Sequence, residues 1–321
     1  MIHAHGGLDI GGTFIKAAVV SADGEIAAES QIPTQSYDGH EAVLERAAVL
    51  LRQLATTSRA GLDGVGVALP GLVDHATGIS RFLPNLHTQW RDVPVAGTLS
   101  ARLGCAVHIL NDARAATLGE LHFGLGRGRT SVTFAYFGVG TGIGGGVVIE
   151  GRLRMGPLGA AGELGHQTVV PDGPRCGCGN QGCLEAVASG PAIAAEGIRL
   201  LQTGRAPALR DLVGGDVSKV TPKTMAAAAA ADPPIAEAIS RAARYLGIGV
   251  SNLIVTLHPD LVVIGGGVVA MGDLLMDTIR KTVHERVGIL PAGSVEIASS
   301  PLGTRAGVLG AAALAYRGGH T

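Results

Sequence analysis

The sequence predicts an α/β protein made of two related lobes. Short buried strands alternate with amphipathic helical stretches, the pattern of α/β domains. A glycine-bearing hairpin also occurs twice, with Gly12-Thr13 and Gly140-Thr141 about 128 residues apart. A repeat at that distance implies two lobes facing a shared ligand. The 321 residues are 46% hydrophobic and their mean hydropathy is +0.34. Those values describe a well-buried globular chain of one large or two medium domains.

The chain opens with a short apolar strand that meets Gly11-Gly12-Thr13, with Asp9 just before and Lys16 just after. A second strand follows, then the hairpin signal Asp23-Gly24 and a third strand, EIAAES. Glycine lets backbone approach a ligand, and exposed N–H groups beside a Thr hydroxyl can hold phosphate oxygens. The spacing of a P-loop is absent, and an ordinary tight turn accounts for one such hairpin alone. Residues 39–57 place Val43, Ala47, Leu50 and Leu54 on one helical face, which is core packing. The strand GVGVAL (64–69) ends at Pro70-Gly71, where strand ends commonly carry function. Asn85 falls in the loop PNLHTQW, where a turn residue is the simpler local reading. The strand AVHILN then runs into a helix, with Asn111-Asp112 at the junction. Asp112 there is either an N-cap or a general base at a strand's C-terminal end.

Residues 132–149 repeat the opening: strand, Gly-x-Gly-Thr-Gly, strand, then a turn at Glu150-Gly151. The second copy lifts both hairpins above the turn-only reading. Gly162 to Glu185 follows, reading GELGHQTVVPDGPRCGCGNQGCLE. It holds three of the four cysteines, Cys176, Cys178 and Cys183, with His166 upstream and Glu163 and Glu185 at its ends. Three thiols and an imidazole at close spacing suit a closed tetrahedral zinc site; a disulfide plus a spare thiol is the other reading. Ser189 is placed to cap the next helix. The segment 203–224 reads as polar and irregular, 225–231 as helical, and Asp232-Pro233 as a cap followed by proline. From Ile235 to Leu257 an apolar stripe at helical spacing reads as core or a subunit face. A buried strand (259–269) meets Gly265-Gly266-Gly267, a turn suited to a flat ligand such as a nucleoside, and a last helix spans about 303–317.

The net charge of −1 and the 3% aromatic content offer no basic or stacking surface for nucleic acid and no patch for an anionic membrane. No apolar run reaches about 18 residues. The N-terminus lacks the basic region and apolar core of a signal peptide. A reducing cytoplasmic location is expected, and it keeps thiolates available to a metal.

Five motifs in order resemble the ROK family of sugar kinases and sugar-responsive repressors over nearly the whole chain. They are D-x-G-G-T-x-x-K (Asp9 to Lys16), Asn111-Asp112, the glycine run Gly140 to Gly146, G-E-L-G-H (Gly162 to His166) and C-x-C-G-x-x-G-C-x-E (Cys176 to Glu185). The resemblance implies an actin-like/hexokinase-like (ribonuclease H-like) two-lobe α/β fold with an interlobe cleft. It places a small lobe at 1–115 plus 303–321 and a large lobe at 116–302 carrying the zinc motif. It implies a sugar deep in the cleft, ATP with Mg2+ between the lobes, and a structural Zn2+ on His166, Cys176, Cys178 and Cys183. By resemblance Asp112 is the catalytic base, and Gly71, Asn85, Asn111, Glu163, His166 and Glu185 join it at the sugar. Asp9, Gly11, Gly12, Thr13, Lys16, Gly140, Thr141 and Gly142 serve the Mg-phosphate end, and Gly265, Gly266 and Gly267 pack near the adenosine. His166 would bind zinc through one nitrogen and reach sugar through the other.

One departure stands out. Arg114 occupies a place where many relatives carry Asn or Gln; it either alters the charge and sugar specificity of the cleft or points outward from the helix. The implied activity is an ATP-dependent kinase acting on the 6-hydroxyl of a hexose, with glucose ahead of N-acetylmannosamine and other amino sugars. A repressor would need a helix-turn-helix before the first glycine motif, and only eight residues precede Asp9. A non-catalytic sugar sensor and a polyphosphate-dependent kinase are the remaining alternatives. A homodimer or homotetramer is expected from the family and from the symmetry of most oligomers.

Overall fold

The computed structural model describes residues 2–83, 86–291 and 293–321, so Asn85 lies outside the described residues. They pack as two compact units, Met1–Val132 with Gly146–Gly162 and Thr304–Thr321, and Thr133–Gly145 with Glu163–Gly303.

The first unit begins with β1 (Ile2–Ile10), β2 (Phe14–Val20), β3 (Ile26–Pro33), α1 (Gly39–Thr57) and β4 (Ala60–Leu69). The short strands β5 (Leu72–Asp74), β6 (Ile79–Leu83) and β7 (Trp90–Val93) follow, then α2 (Val95–Leu103), β8 (Val107–Asn111) and α3 (Asp112–Phe123). Its main sheet has the order β3-β2-β1-β4-β8. The first three strands are antiparallel neighbours, because two tight turns join them; β4 and β8 run parallel to β1 after crossovers. The turn at Asp23-Gly24 forms as the sequence predicts, with Gly24 at φ 85° and Ser21 and Glu25 bonded across it. Val43, Ala47 and Leu50 of α1 are buried on the sheet, and Leu54 packs beside them.

The last helix, α10 (Ala306–Tyr316), is apolar throughout and belongs to this unit. It packs on β1, β4 and α3. Its approach is backbone to backbone: a Cβ on Gly66 would lie 1.8 Å from the Ala311 carbonyl oxygen, and one on Gly310 would lie 1.6 Å from that of Ala115. Only glycine permits that contact, and it seats the N-terminal turn of α10 beside Asp9, 2.8 Å from where a Gly307 Cβ would stand.

After α3 come β9 (Phe134–Val139), β10 (Ile143–Ile149) and β11 (Arg152–Leu153), and later β12 (Leu261–Gly265) and β13 (Glu296–Ser299). Their sheet has the order β11-β10-β9-β12-β13, with β12 parallel to β9 and β13. The helices of the second unit are α4 (Leu184–Ala188), α5 (Gly190–Gln202), α6 (Pro207–Val213), α7 (Pro222–Ala228), α8 (Pro233–Leu257) and α9 (Asp273–Arg286). The α8 stripe is core: Ile235, Ile239, Ala242, Leu246, Val250 and Leu253 are buried, and α8 packs on α4, α5, α7 and α9.

Two local readings are corrected. The segment 203–224 is not irregular, because it contains α6 and the start of α7. Asp232 does not cap α8 with its side chain. Its carboxylate accepts from the N–H groups of Ala208 and Leu209, so it caps α6 from more than twenty residues downstream. Ser189 caps α5 as read, accepting from Ala192 N–H.

Candidate functional site

In the first unit, the β1–β2 hairpin presents Gly11, Gly12 and Thr13 at its tip. Gly11 N–H donates to the Phe14 carbonyl at 3.0 Å, which closes the turn. Gly12 and Thr13 are exposed. The register sets Asp9 opposite Lys16, and the Lys16 Nζ lies 3.9 Å from Asp9 Oδ2 while donating to the Thr304 carbonyl. Burial pushes the Asp9 carboxyl up to about 6; Lys16 opposes that, and the charge of Asp112 adds to it. Two carboxylates therefore sense one another at this end of the unit, a donor set that suits a hard divalent cation.

The tip is held by a residue that sequence reasoning missed. Buried Thr34, just past β3, donates its hydroxyl to the Gly11 carbonyl at 2.7 Å and its N–H to the Thr13 carbonyl at 2.9 Å. Nothing in the local pattern marks it, since it acts across a strand pairing.

At the β8–α3 junction, Asn111 is the cap residue and Asp112 is the first residue of the helix. Asn111 Oδ1 accepts from the N–H groups of Ala113 and Arg114 and from Arg114 Nη1 at 3.1 Å. Its Nδ2 donates to the Gly71 carbonyl at 3.1 Å. Gly71, at φ 79°, is the only residue type that fits there: a Cβ would meet the Phe82 carbonyl oxygen at 2.3 Å. Arg114 does not point outward. It is 1% exposed, with its guanidinium turned back onto Asn111. Asp112 accepts from Ala113 N–H through Oδ1 at 2.8 Å and is half-buried.

In the second unit, the β9–β10 hairpin closes with Gly140 N–H donating to the Gly142 carbonyl, and Gly190 N–H at the start of α5 donates to the Gly140 carbonyl. Glu185 reaches this hairpin directly. Its Oε2 accepts from Ile143 N–H at 2.8 Å, and a Cβ on Gly142 would meet that same oxygen at 2.4 Å. Its Oε1 lies 3.8 Å from Cys176 Sγ.

His166 and the three cysteines converge as the sequence predicts: one ligand atom from each lies within 4.8 Å of all the others. Cys176 Sγ is 3.7 Å from His166 Nδ1, and Cys178 Sγ is 3.7 Å from Cys183 Sγ, far beyond a disulfide bond. All four cysteines of the chain are free thiols. The other ring nitrogen of His166 faces Glu163, with Nε2 3.9 Å from Oε2. Burial pushes Cys183 up to about 12 and also raises Cys176, whereas the Asn180 N–H holds Cys178 below the usual thiol range. The set matches the number, softness and spacing of ligands in a tetrahedral zinc site.

The triple glycine after β12 divides in two. Gly265 packs on Tyr136, and Gly266 packs at φ 84° on Val139, where a Cβ would meet the carbonyl oxygen at 2.3 Å; Gly267 faces open space. The first two are therefore explained by packing alone, and only the third leaves room for a ligand.

The ROK family model matches residues 5–317. A glucokinase from Thermotoga maritima is 38% identical over 312 residues, which is 96% of either chain. A xylose repressor from Caldicellulosiruptor bescii is 31% identical over 312 residues, 96% of this chain and 77% of the repressor. Among solved structures, a ROK family glucokinase from Streptomyces griseus in complex with glucose and AMPPNP aligns with a TM-score of 0.86 at 33% identity, over 98% of this chain and 99% of that one.

Proposed function

The chain belongs to the ROK family and has the actin-like/hexokinase-like fold of its solved relatives, and on that premise we propose that it is an ATP-dependent glucokinase. It transfers the γ-phosphoryl group of ATP to the 6-hydroxyl of glucose. The observation that carries this reading is end-to-end likeness to glucokinases in a chain that also has Asn111-Asp112 at a strand–helix junction.

A sugar hydroxyl is a weak nucleophile. Asp112 accepts its proton as the oxygen forms its bond to the γ-phosphorus and the bond to the ADP oxygen breaks. Asn111, Glu163 and His166 orient the hydroxyls, with the Gly71 carbonyl holding Asn111, and Asn85 and Glu185 complete the sugar set. Positioning and charge stabilisation supply most of the rate in such transfers. The hairpins at Gly11-Gly12-Thr13 and Gly140-Thr141-Gly142 direct backbone N–H groups to the phosphates, and Lys16 adds charge. Of Gly265, Gly266 and Gly267, the last would back the adenosine and the first two hold the turn behind it. Asp9 would hold Mg2+, which when bound neutralises phosphate charge. His166, Cys176, Cys178 and Cys183 would hold a structural Zn2+, which when bound would keep Glu163 and His166 in register.

In this reading the small lobe spans 1–115 plus 303–321 and the large lobe 116–302. The protein works in the cytoplasm as a homodimer or homotetramer, on sugar and ATP, without nucleic acid. No helix among the described residues is long and apolar enough to cross a membrane. An ADP-release assay over hexoses and N-acetylhexosamines tests the reading. Glucose should be the best acceptor; a clear preference for N-acetylmannosamine would make it an amino-sugar kinase, and no turnover with any sugar would remove the kinase assignment.

A further inference from the structure

Arg114 is 1% exposed, on the first turn of α3, two residues past the proposed base. Its Nη1 donates to Asn111 Oδ1 at 3.1 Å, an oxygen already accepting two backbone N–H groups of the same turn. Three donors on one carboxamide oxygen fix which way the amide faces. The flipped amide would set N–H against two backbone N–H groups and a guanidinium. On the other side, one N–H of Nδ2 is taken by the Gly71 carbonyl. Among the described residues, the second N–H of Nδ2 has no protein partner.

From this arrangement we infer that Arg114 is a positioning residue for the acceptor sugar, acting through Asn111. It locks the carboxamide so that the position beside Asp112 offers a hydrogen-bond donor and no acceptor. The two neighbouring side chains then have opposite polarity. Asp112 accepts the proton of the hydroxyl to be phosphorylated, and Asn111 donates to the oxygen of a neighbouring hydroxyl. A hexose satisfies both, because its 4-hydroxyl lies two carbons from the carbon that bears the 6-hydroxyl and the two hydroxyls are used in different senses. Arg114 thus sharpens recognition of the acceptor and leaves the nucleotide half of the reaction untouched.

The inference rests on the sugar-kinase reading, and the experiment separates the two. Wild-type turnover with glucose is measured first; its absence removes the reading itself. Arg114→Met and Arg114→Lys are then compared with Asn111→Ala and the double variant Asn111→Ala/Arg114→Met, with KM for sugar and for ATP determined separately. Arg114→Met should raise KM for sugar about tenfold, the usual effect of losing a hydrogen bond to a charged group, with KM for ATP unchanged. Arg114→Lys, which keeps a cation in reach, should recover part of the loss. In the Asn111→Ala background the Arg114→Met change should have no further effect on sugar KM. Full additivity in the double variant, or equal rises in both KM values, overturns the inference. If Arg114→Met does not fold, the Lys variant carries the same test, because a non-planar ammonium holds the carboxamide less well.

Discussion

At the scale of single residues, two carboxylates in the first unit are asked for different work. Asp112 is proposed to remove a proton, so Asp112→Asn should cut kcat by about 10²–10⁴-fold, the range for losing a general base. Sugar binding by calorimetry should survive, because an amide still offers hydrogen bonds; turnover near wild type would sink the base assignment. Asp9 is raised from 3.8 to about 6 chiefly by burial. A carboxyl with a raised folded pKa contributes stability that is complete below about 3.8. That stability is lost as pH rises through about 6, where the folded protein gives up its extra proton. The shift corresponds to about 3 kcal/mol. Asp9→Asn should therefore gain in melting temperature over wild type between pH 4 and pH 7 and hold a constant advantage above that. A difference that is flat across the whole range would show that Asp9 is not held in its neutral form. Added Mg2+ should narrow the gap, since a cation favours the carboxylate.

At the scale of elements, the cluster of His166 and three cysteines joins a loop to a hairpin. Glu185 follows the last cysteine by two residues and also accepts from the backbone of β10, so the ligand cluster and the second glycine hairpin share one side chain. Cys178→Ser replaces a soft thiolate with a hydroxyl that does not ionise in this range. Zinc measured by atomic absorption should fall from one equivalent per chain to near zero. The melting temperature should drop by at least about 5 °C, which is what about 2 kcal/mol gives in a large domain. Retained zinc would remove the ligand assignment.

The cluster was legible in the sequence because its ligands are close in the chain. The strands and long helices were legible through periodicity, and the strand–helix junction at Asn111-Asp112 through its cap chemistry. What escaped acts across distance. Helix α6 takes its cap from Asp232, Thr34 ties a hairpin on another strand pair, and Arg114 looks like a surface residue until packing turns it inward.

At the scale of the whole molecule, the competing readings differ in which ligands the folded state recognises. Relatives of both kinds, a kinase and a repressor, match this chain over 96% of its length, so fold alone does not choose between them. A sugar sensor needs only the sugar half of the site. A kinase also needs two phosphate hairpins that bind nucleotide, and both glycine hairpins are formed here. Ligands that bind only the folded state stabilise it by mass action, by about 2.7 kcal/mol at one hundred times Kd. For a chain of this size that amounts to a rise of about 4 °C. Thermal melts with glucose, with AMPPNP and Mg2+, and with both should therefore show a shift for each ligand and a larger one for the pair. A kinase whose substrates order one another gives a combined shift above the sum of the two. Stabilisation by glucose with none by nucleotide at millimolar concentration would point to a sensor that keeps the sugar half and has lost the chemistry.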